Sequence, residues 1–154
     1  LQRGIDLDGF TVSGKIDRID VDPFSARGIV QDYKSGAAHS ARRIEQDGRL
    51  QVPLYVLALR DLVGIEPLGG LYRSLSGERE ARGLLRLEAQ SDVPGFASLD
   101  YLDEDAFWGV VTQAKERARD SVARIRGGDV QHDPRSGRCP SWCDRWTICR
   151  VARA

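Results

Sequence analysis

The chain has 154 residues, enough for one domain with a single core. Its 23 basic and 23 acidic side chains cancel, so overall charge carries no nucleic-acid signal, and no apolar run approaches the ~20 residues needed to span a bilayer. No signal peptide is visible, so a cytoplasmic setting is expected. Charge is unevenly placed: the first 34 residues hold six aspartates and no glutamate, and Arg117 to Ala154 holds nine arginines against four aspartates. An acidic site beside a basic tail suits a metal-dependent enzyme acting on a polyanion, and a solvated surface of mixed charge is the plainer alternative. Arginine outnumbers lysine 20 to 3, which a GC-rich coding sequence also explains. There is no methionine, so the chain is expected to be an N-terminally truncated piece of a longer protein.

In chain order, Phe10 to Val21 predicts a long twisted strand, with apolar residues at 10, 12, 16, 19 and 21 and a slip in alternation near Asp17. Asp22 to Gly28 reads as a turn, and Ile29 to Lys34 as the second strand of a hairpin. Residues two apart on a strand share a face, so Asp32 and Lys34 project together, with Tyr33 on the other side. Across the turn, Asp17 can lie opposite them. Two carboxylates with open water positions suit Mg²⁺ or Mn²⁺, and a neighbouring lysine can position or activate a water.

Ala37 to Glu45 is polar and basic, a loop or an early helical turn carrying His39, Arg42 and Arg43. Arg49 to Leu62 predicts an apolar helix, with Pro53 near its start, Gln51 and Tyr55 on one face, and Gly64 at its end. Leu68 to Leu75 and Gly83 to Leu87 read as two further strands, and Pro94-Gly95 as a loop. Asp103 is expected to cap a helix running to about Arg126, with a core stripe of Phe107, Val110, Val111, Ala114, Ala118, Val122 and Ile125. Gly127-Gly128 stops it. No internal repeat or linker appears. One domain, 1–154, is expected, with 129–154 as a C-terminal cysteine-containing segment.

Asp17, then Asp32-x-Lys34, then Gln51-x-x-x-Tyr55 resembles the PD-(D/E)XK nuclease superfamily. Gly14-Lys15-Ile16-Asp17-Arg18-Ile19-Asp20, Asp32-Tyr33-Lys34-Ser35-Gly36 and Gln51-Val52-Pro53-Leu54-Tyr55 are similar, in order and spacing, to RecB/AddB-type nuclease domains of helicase–nuclease complexes. The resemblance implies an α/β fold, a mixed, mainly antiparallel sheet flanked by helices, and metal-dependent exonuclease action on DNA in repair or recombination, beside a helicase domain or subunit. It implies that Asp17, Asp32 and the backbone carbonyl of Tyr33 hold the ion. Lys34 then orients water or stabilises charge on the phosphate, and Gln51 and Tyr55 steady the site. Arg42, Arg43 and Arg49 are candidate phosphate contacts, with Arg138, Arg145 and Arg150 further away in the chain. The family's histidine or glutamate on a helix upstream of the Asp17 strand has no counterpart here.

The three cysteines, Cys139, Cys143 and Cys149, are spaced Cys-x3-Cys-x5-Cys. Disulfides are not expected of three clustered cysteines in an intracellular chain. In the iron–sulfur members of the resembling family three such cysteines and one upstream ligate a 4Fe–4S cluster, and that fourth cysteine is missing here. Zinc with His132 or His39 as fourth ligand is the rival. Trp142 and Trp146 are expected to pack about the cysteines. Two other readings of the whole remain open: a non-cutting DNA-binding or structural module of a repair complex, and a zinc-binding interaction domain.

Overall fold

The computed structural model describes residues 4–77 and 79–129. Two compact units divide the chain, Leu1–Asp120 and Ser121–Ala154. In the first unit, β1 (Ile5–Asp6) and β2 (Thr11–Val12) form a small antiparallel hairpin of their own. The main sheet has five strands in sequential order: β3 (Arg18–Asp22), β4 (Arg27–Lys34), β5 (Glu66–Ser74), β6 (Ala81–Arg86) and β7 (Tyr101–Leu102). β3/β4 and β5/β6 pair antiparallel, whereas β4/β5 and β6/β7 pair parallel. The α/β class and the mixed sheet with helices against it are as expected.

The long first strand is corrected. Residues 13–17 leave extended pairing, and Asp17 sits in a bend just before β3 rather than on a strand. The slip in alternation between Ile16 and Ile19 is the sequence trace of that break. The β3–β4 hairpin itself forms as read, with Arg18 opposite Gln31 and Asp20 opposite Ile29.

A parallel neighbour cannot follow from a tight turn, so the chain must cross over between β4 and β5. The crossover carries α1 (Ala41–Gln46) and α2 (Gln51–Ala58). Ser40 caps α1, its hydroxyl accepting from the Arg43 N–H at 3.3 Å. α2 continues as one π-helical turn, Leu59–Val63, and Gly64 ends it at φ 73°, a left-handed cap that glycine adopts without a Cβ penalty. α3 (Glu104–Arg126) starts on the Asp103 cap, whose Oδ1 accepts from the Ala106 N–H at 2.8 Å.

The helical face of the sheet buries Val30, Tyr72 and Leu84 against Val52 and Val56 of α2 and Phe107 and Val111 of α3. The opposite face buries Ile29, Leu68, Leu71 and Leu85 under Ala89 and Tyr101. β4 is therefore covered on both faces, which is why Ile29 and Val30 run consecutively apolar. The α3 stripe is buried as far as Ala118, but Val122 is half-buried and Ile125 is 65% exposed. Helical spacing continued past the last turn that meets the core. In the second unit, Gly127 and Gly128 close the helix, the latter at φ 78°, and Arg124 pairs with Asp129 at 2.7 Å.

β5 and β6 approach closely at Gly83, where an added Cβ would stand 2.1 Å from the Gly70 carbonyl oxygen and 2.9 Å from Leu71 Cα. Both obstacles are backbone and cannot rotate away. Gly83→Ala is expected to destabilise the protein by about 1–3 kcal/mol, the usual cost of overpacking; an unchanged denaturant midpoint contradicts this.

Candidate active site

The site is built at the C-terminal end of β4, against the first turns of α2. The two-residue period of the strand puts Val30, Asp32 and Lys34 towards the helices, and the helical period puts Gln51 and Tyr55 on one face towards them. Four side chains join. Lys34 Nζ lies 2.7 Å from Asp32 Oδ2 and donates to Gln51 Oε1 at 2.6 Å. Gln51 Nε2 donates to Asp32 Oδ1 at 2.6 Å and to Tyr55 Oη at 3.0 Å. Tyr55 Oη donates onward to the Lys15 carbonyl at 2.7 Å. The Gln51 amide thus reads both charges at once, acceptor towards the ammonium and donor towards the carboxylate.

The Asp32 side chain is only 3% exposed. Its Oδ2 is buried and has no hydrogen bond of proper angle, although the Lys34 ammonium lies within ion-pair distance. These two descriptions agree physically: charge attraction without a directed bond leaves that oxygen's lone pairs available. Asp17 enters from the bend before β3, where its Oδ2 accepts from the Tyr33 backbone N–H at 3.0 Å. That bond ties Asp17 to the residue between Asp32 and Lys34. The remaining segment, 13–16, borders an apolar cleft of about 720 Å³ that reaches Gln51, Leu54 and Tyr55.

The arginines are placed differently from one another. Arg42 and Arg43 are exposed on α1, close in sequence to the end of β4. Arg49 turns back to Asp47, with Nη2 at 3.0 Å and Nε at 3.2 Å from Oδ2, so its charge is already matched. Cys139, Cys143, Cys149, Arg138, Arg145, Arg150, His132, Trp142 and Trp146 lie outside the described residues. Among the described residues, no group of three or more histidine, cysteine, aspartate or glutamate side chains gathers as a metal cage. Two carboxylates and a carbonyl still suit an ion that keeps several waters and takes substrate oxygens, as Mg²⁺ does. The underbonded Asp32 Oδ2 fits the same need.

Reading the sequence alone misses Tyr72 and Asp100, and takes His39 only as a loop histidine or a rival zinc ligand. Tyr72 of β5 lies under the Lys34 ammonium, 5.4 Å from its ring centre, and accepts from the Val52 N–H of α2 at 3.4 Å. Burial pushes its phenol up to about 12, so it stays neutral. His39 packs edge-on against Tyr72, ring centres 5.2 Å apart, with Nδ1 buried and unbonded. Asp100 is fully buried and clamps the start of α1, its Oδ1 accepting from the Ala41 N–H at 3.1 Å. Period-two spacing with Leu84-side neighbours could have flagged Tyr72; nothing local distinguishes His39 or Asp100.

Burial, and then the nearby Arg49, Arg43 and Lys34 charges, hold the His39 imidazole below its ordinary value. The unfolded chain therefore takes up this proton first as pH falls, and stability drops below about pH 6.5. His39→Gln is expected to flatten that slope in urea melts run across pH 5 to 8. A slope that survives the substitution assigns it to another group.

The α/β fold sets an Asp-x-Lys pair at the end of a hairpin strand and braces it with a glutamine from the crossover helix. The chain belongs to the PD-(D/E)XK nuclease superfamily, whose family model matches residues 2–150. Its members are nucleases that typically use divalent metal ions. No curated protein matches the chain, and no solved structure does. No helix among the described residues is long and apolar enough to cross a membrane.

Proposed function

We propose that this chain hydrolyses DNA phosphodiesters as an exonuclease-type, divalent-metal-dependent enzyme of repair or recombination, working beside a helicase. The observation that carries the reading is the closed contact set of Asp32, Lys34, Gln51 and Tyr55, in a chain of this superfamily. Asp17, Asp32 and the Tyr33 carbonyl would hold Mg²⁺ or Mn²⁺. When bound, such an ion polarises the phosphate and eases deprotonation of the attacking water.

The chain's own residues do the rest. Gln51 holds the Asp32 carboxylate and the Lys34 ammonium in fixed register through one amide plane. Lys34 presents N–H donors to the attacking water or to the phosphate oxygen that gains charge. Tyr55 anchors Gln51 to the Lys15 carbonyl, so the bend carrying Asp17 stays close to α2. Arg42 and Arg43 supply phosphate contacts; Arg49 contributes less, since Asp47 already matches its charge. Cys139, Cys143 and Cys149 supply three thiolates to a 4Fe–4S cluster of the whole protein, a reading that rests on spacing. Iron and broad visible absorption after anaerobic purification test it; stoichiometric zinc without iron favours the rival.

A non-cutting DNA-binding module is the second reading, and one observation favours it: Lys34, not open solvent, covers Asp32 Oδ2. Release of labelled nucleotides from DNA separates the two. The whole protein, with its cluster and any helicase partner supplied, is expected to cut with Mg²⁺ or Mn²⁺ and to stop with a chelator. Binding without release in either ion overturns the nuclease.

A further inference from the structure

On the face of the sheet opposite Asp32 and Lys34 lies a second polar network that the reaction does not use. Gln31 of β4 is buried, 4% exposed. Its Nε2 donates to Asp20 Oδ2, and its Oε1 accepts from Arg73 Nε at 2.8 Å. The two halves of the amide are therefore assigned: with the nitrogen turned to a carboxylate, only the oxygen is left for Arg73. Asp20 Oδ1 accepts from Arg18 Nε at 2.7 Å. A chain Arg18–Asp20–Gln31–Arg73 runs across three strands, with one guanidinium on the carboxylate and the other on the amide.

Arg73 is the unusual member. Among the described residues no carboxylate lies within ion-pair distance of it, whereas Arg82 and Arg86 on the neighbouring strand pair with Asp100 and with Glu66, Glu88 and Glu104. A neutral amide orients its Nε and leaves the outer N–H groups of the fork for an external acceptor. Its position is equally specific. Arg73 is in register with Tyr33, the residue between Asp32 and Lys34, on the adjacent parallel strand. Arg18 of β3 is in register with Gln31 from the other side of β4.

We infer that Arg73 forms a phosphodiester subsite for the substrate strand, on the back of the strand that carries the catalytic carboxylate. A planar fork of fixed orientation and unmatched charge suits a backbone phosphate. The strand would bend over the end of β4, with the scissile phosphate at Asp32 and a neighbouring one at Arg73. This inference rests on the nuclease reading.

The test is binding of a fluorescently labelled single-stranded oligonucleotide to the full chain in a chelator, so that nothing is cut, across about 50 to 200 mM salt. Arg73→Gln is expected to weaken binding roughly tenfold, as loss of a charge-assisted contact does, and to reduce the salt slope by about one. Arg73→Lys keeps the charge and most of the slope. Arg60→Gln, which removes the same charge where Arg60 pairs with Asp61 and covers Trp108, is the control and leaves both values unchanged. If Arg73→Gln does not fold, Arg73→Met replaces it, because it keeps the packing of the aliphatic stem and removes the charge, and the same loss is expected. Unchanged affinity and slope in the folded variant overturn the subsite, as does an equal loss in Arg60→Gln. A wild-type chain that binds and cuts while Arg73→Gln binds normally removes the subsite alone. One that binds through Arg73 yet never cuts removes the nuclease reading and leaves the subsite. One that binds no oligonucleotide removes the subsite.

Discussion

Asp32→Ala is expected to abolish Mg²⁺-dependent nucleotide release, by about three orders of magnitude or more, while DNA binding stays within a few fold. The size follows from what the carboxylate supports. A divalent ion contributes several kcal/mol of transition-state charge stabilisation, and each ~1.4 kcal/mol is tenfold in rate. Asp32 is the buried member of the two carboxylates, and both of its oxygens face groups of the site. Affinity for DNA comes mainly from cationic contacts to phosphates, so it should survive. In the absence of metal it should tighten slightly, since one negative charge facing a polyanion is gone. Lys34→Ala is expected to lose cleavage to a similar extent while metal binding is retained. Nucleotide release run beside a binding measurement at fixed salt reads both. Cleavage by Asp32→Ala within tenfold of wild type would remove Asp32 from the chemistry.

The second large effect falls on stability. Asp100→Ala should cost about 3–5 kcal/mol, the range for breaking a buried charge pair. Asp100 is fully buried and serves two elements, β6 and α1. It takes Arg82 Nε at 2.6 Å and Nη2 at 3.2 Å, the Gly83 N–H at 3.3 Å, and the Ala41 N–H at the start of α1. Its carboxylate is also what chiefly holds the Arg82 guanidinium above its usual range. Removing it leaves the partly buried Arg82 with only the exposed Glu80 carboxylate, strands two backbone donors, and loosens the turn that carries Arg42 and Arg43. For a chain of this size the melting temperature should fall by roughly 10 °C. Asp100→Asn keeps an acceptor and should lose less. A loss below about 1 kcal/mol for Asp100→Ala would show that the clamp is not structural.

Much of this was legible in the residues themselves. The hairpin before Lys34, the helix carrying Gln51 and Tyr55, the Gly64 stop and the Asp103 cap each depend on contacts within a few positions, and local chemistry specifies those. The break at 13–17 was legible only as a slip, because a single interrupted alternation does not say whether a strand bends or ends. Val122 and Ile125 went the other way: helical spacing carries on whether or not a core is still there to meet it.

The amino-acid order by itself determined the α/β class, the superfamily blocks, and that Asp32 and Lys34 share a face, since a period of two leaves no other option. Tertiary structure alone decided that Asp17 reaches the site by capping the Tyr33 N–H, that Arg49 is spent on Asp47 while no carboxylate among the described residues pairs with Arg73, and that Asp100 holds α1 in place. The bonds of Asp100 to Ala41 and of Arg73 to Gln31 join residues 59 and 42 positions apart. Such partners are chosen by the parallel crossover between β4 and β5 and by the order of the sheet, and no periodicity within a segment encodes which distant segment will lie beside it.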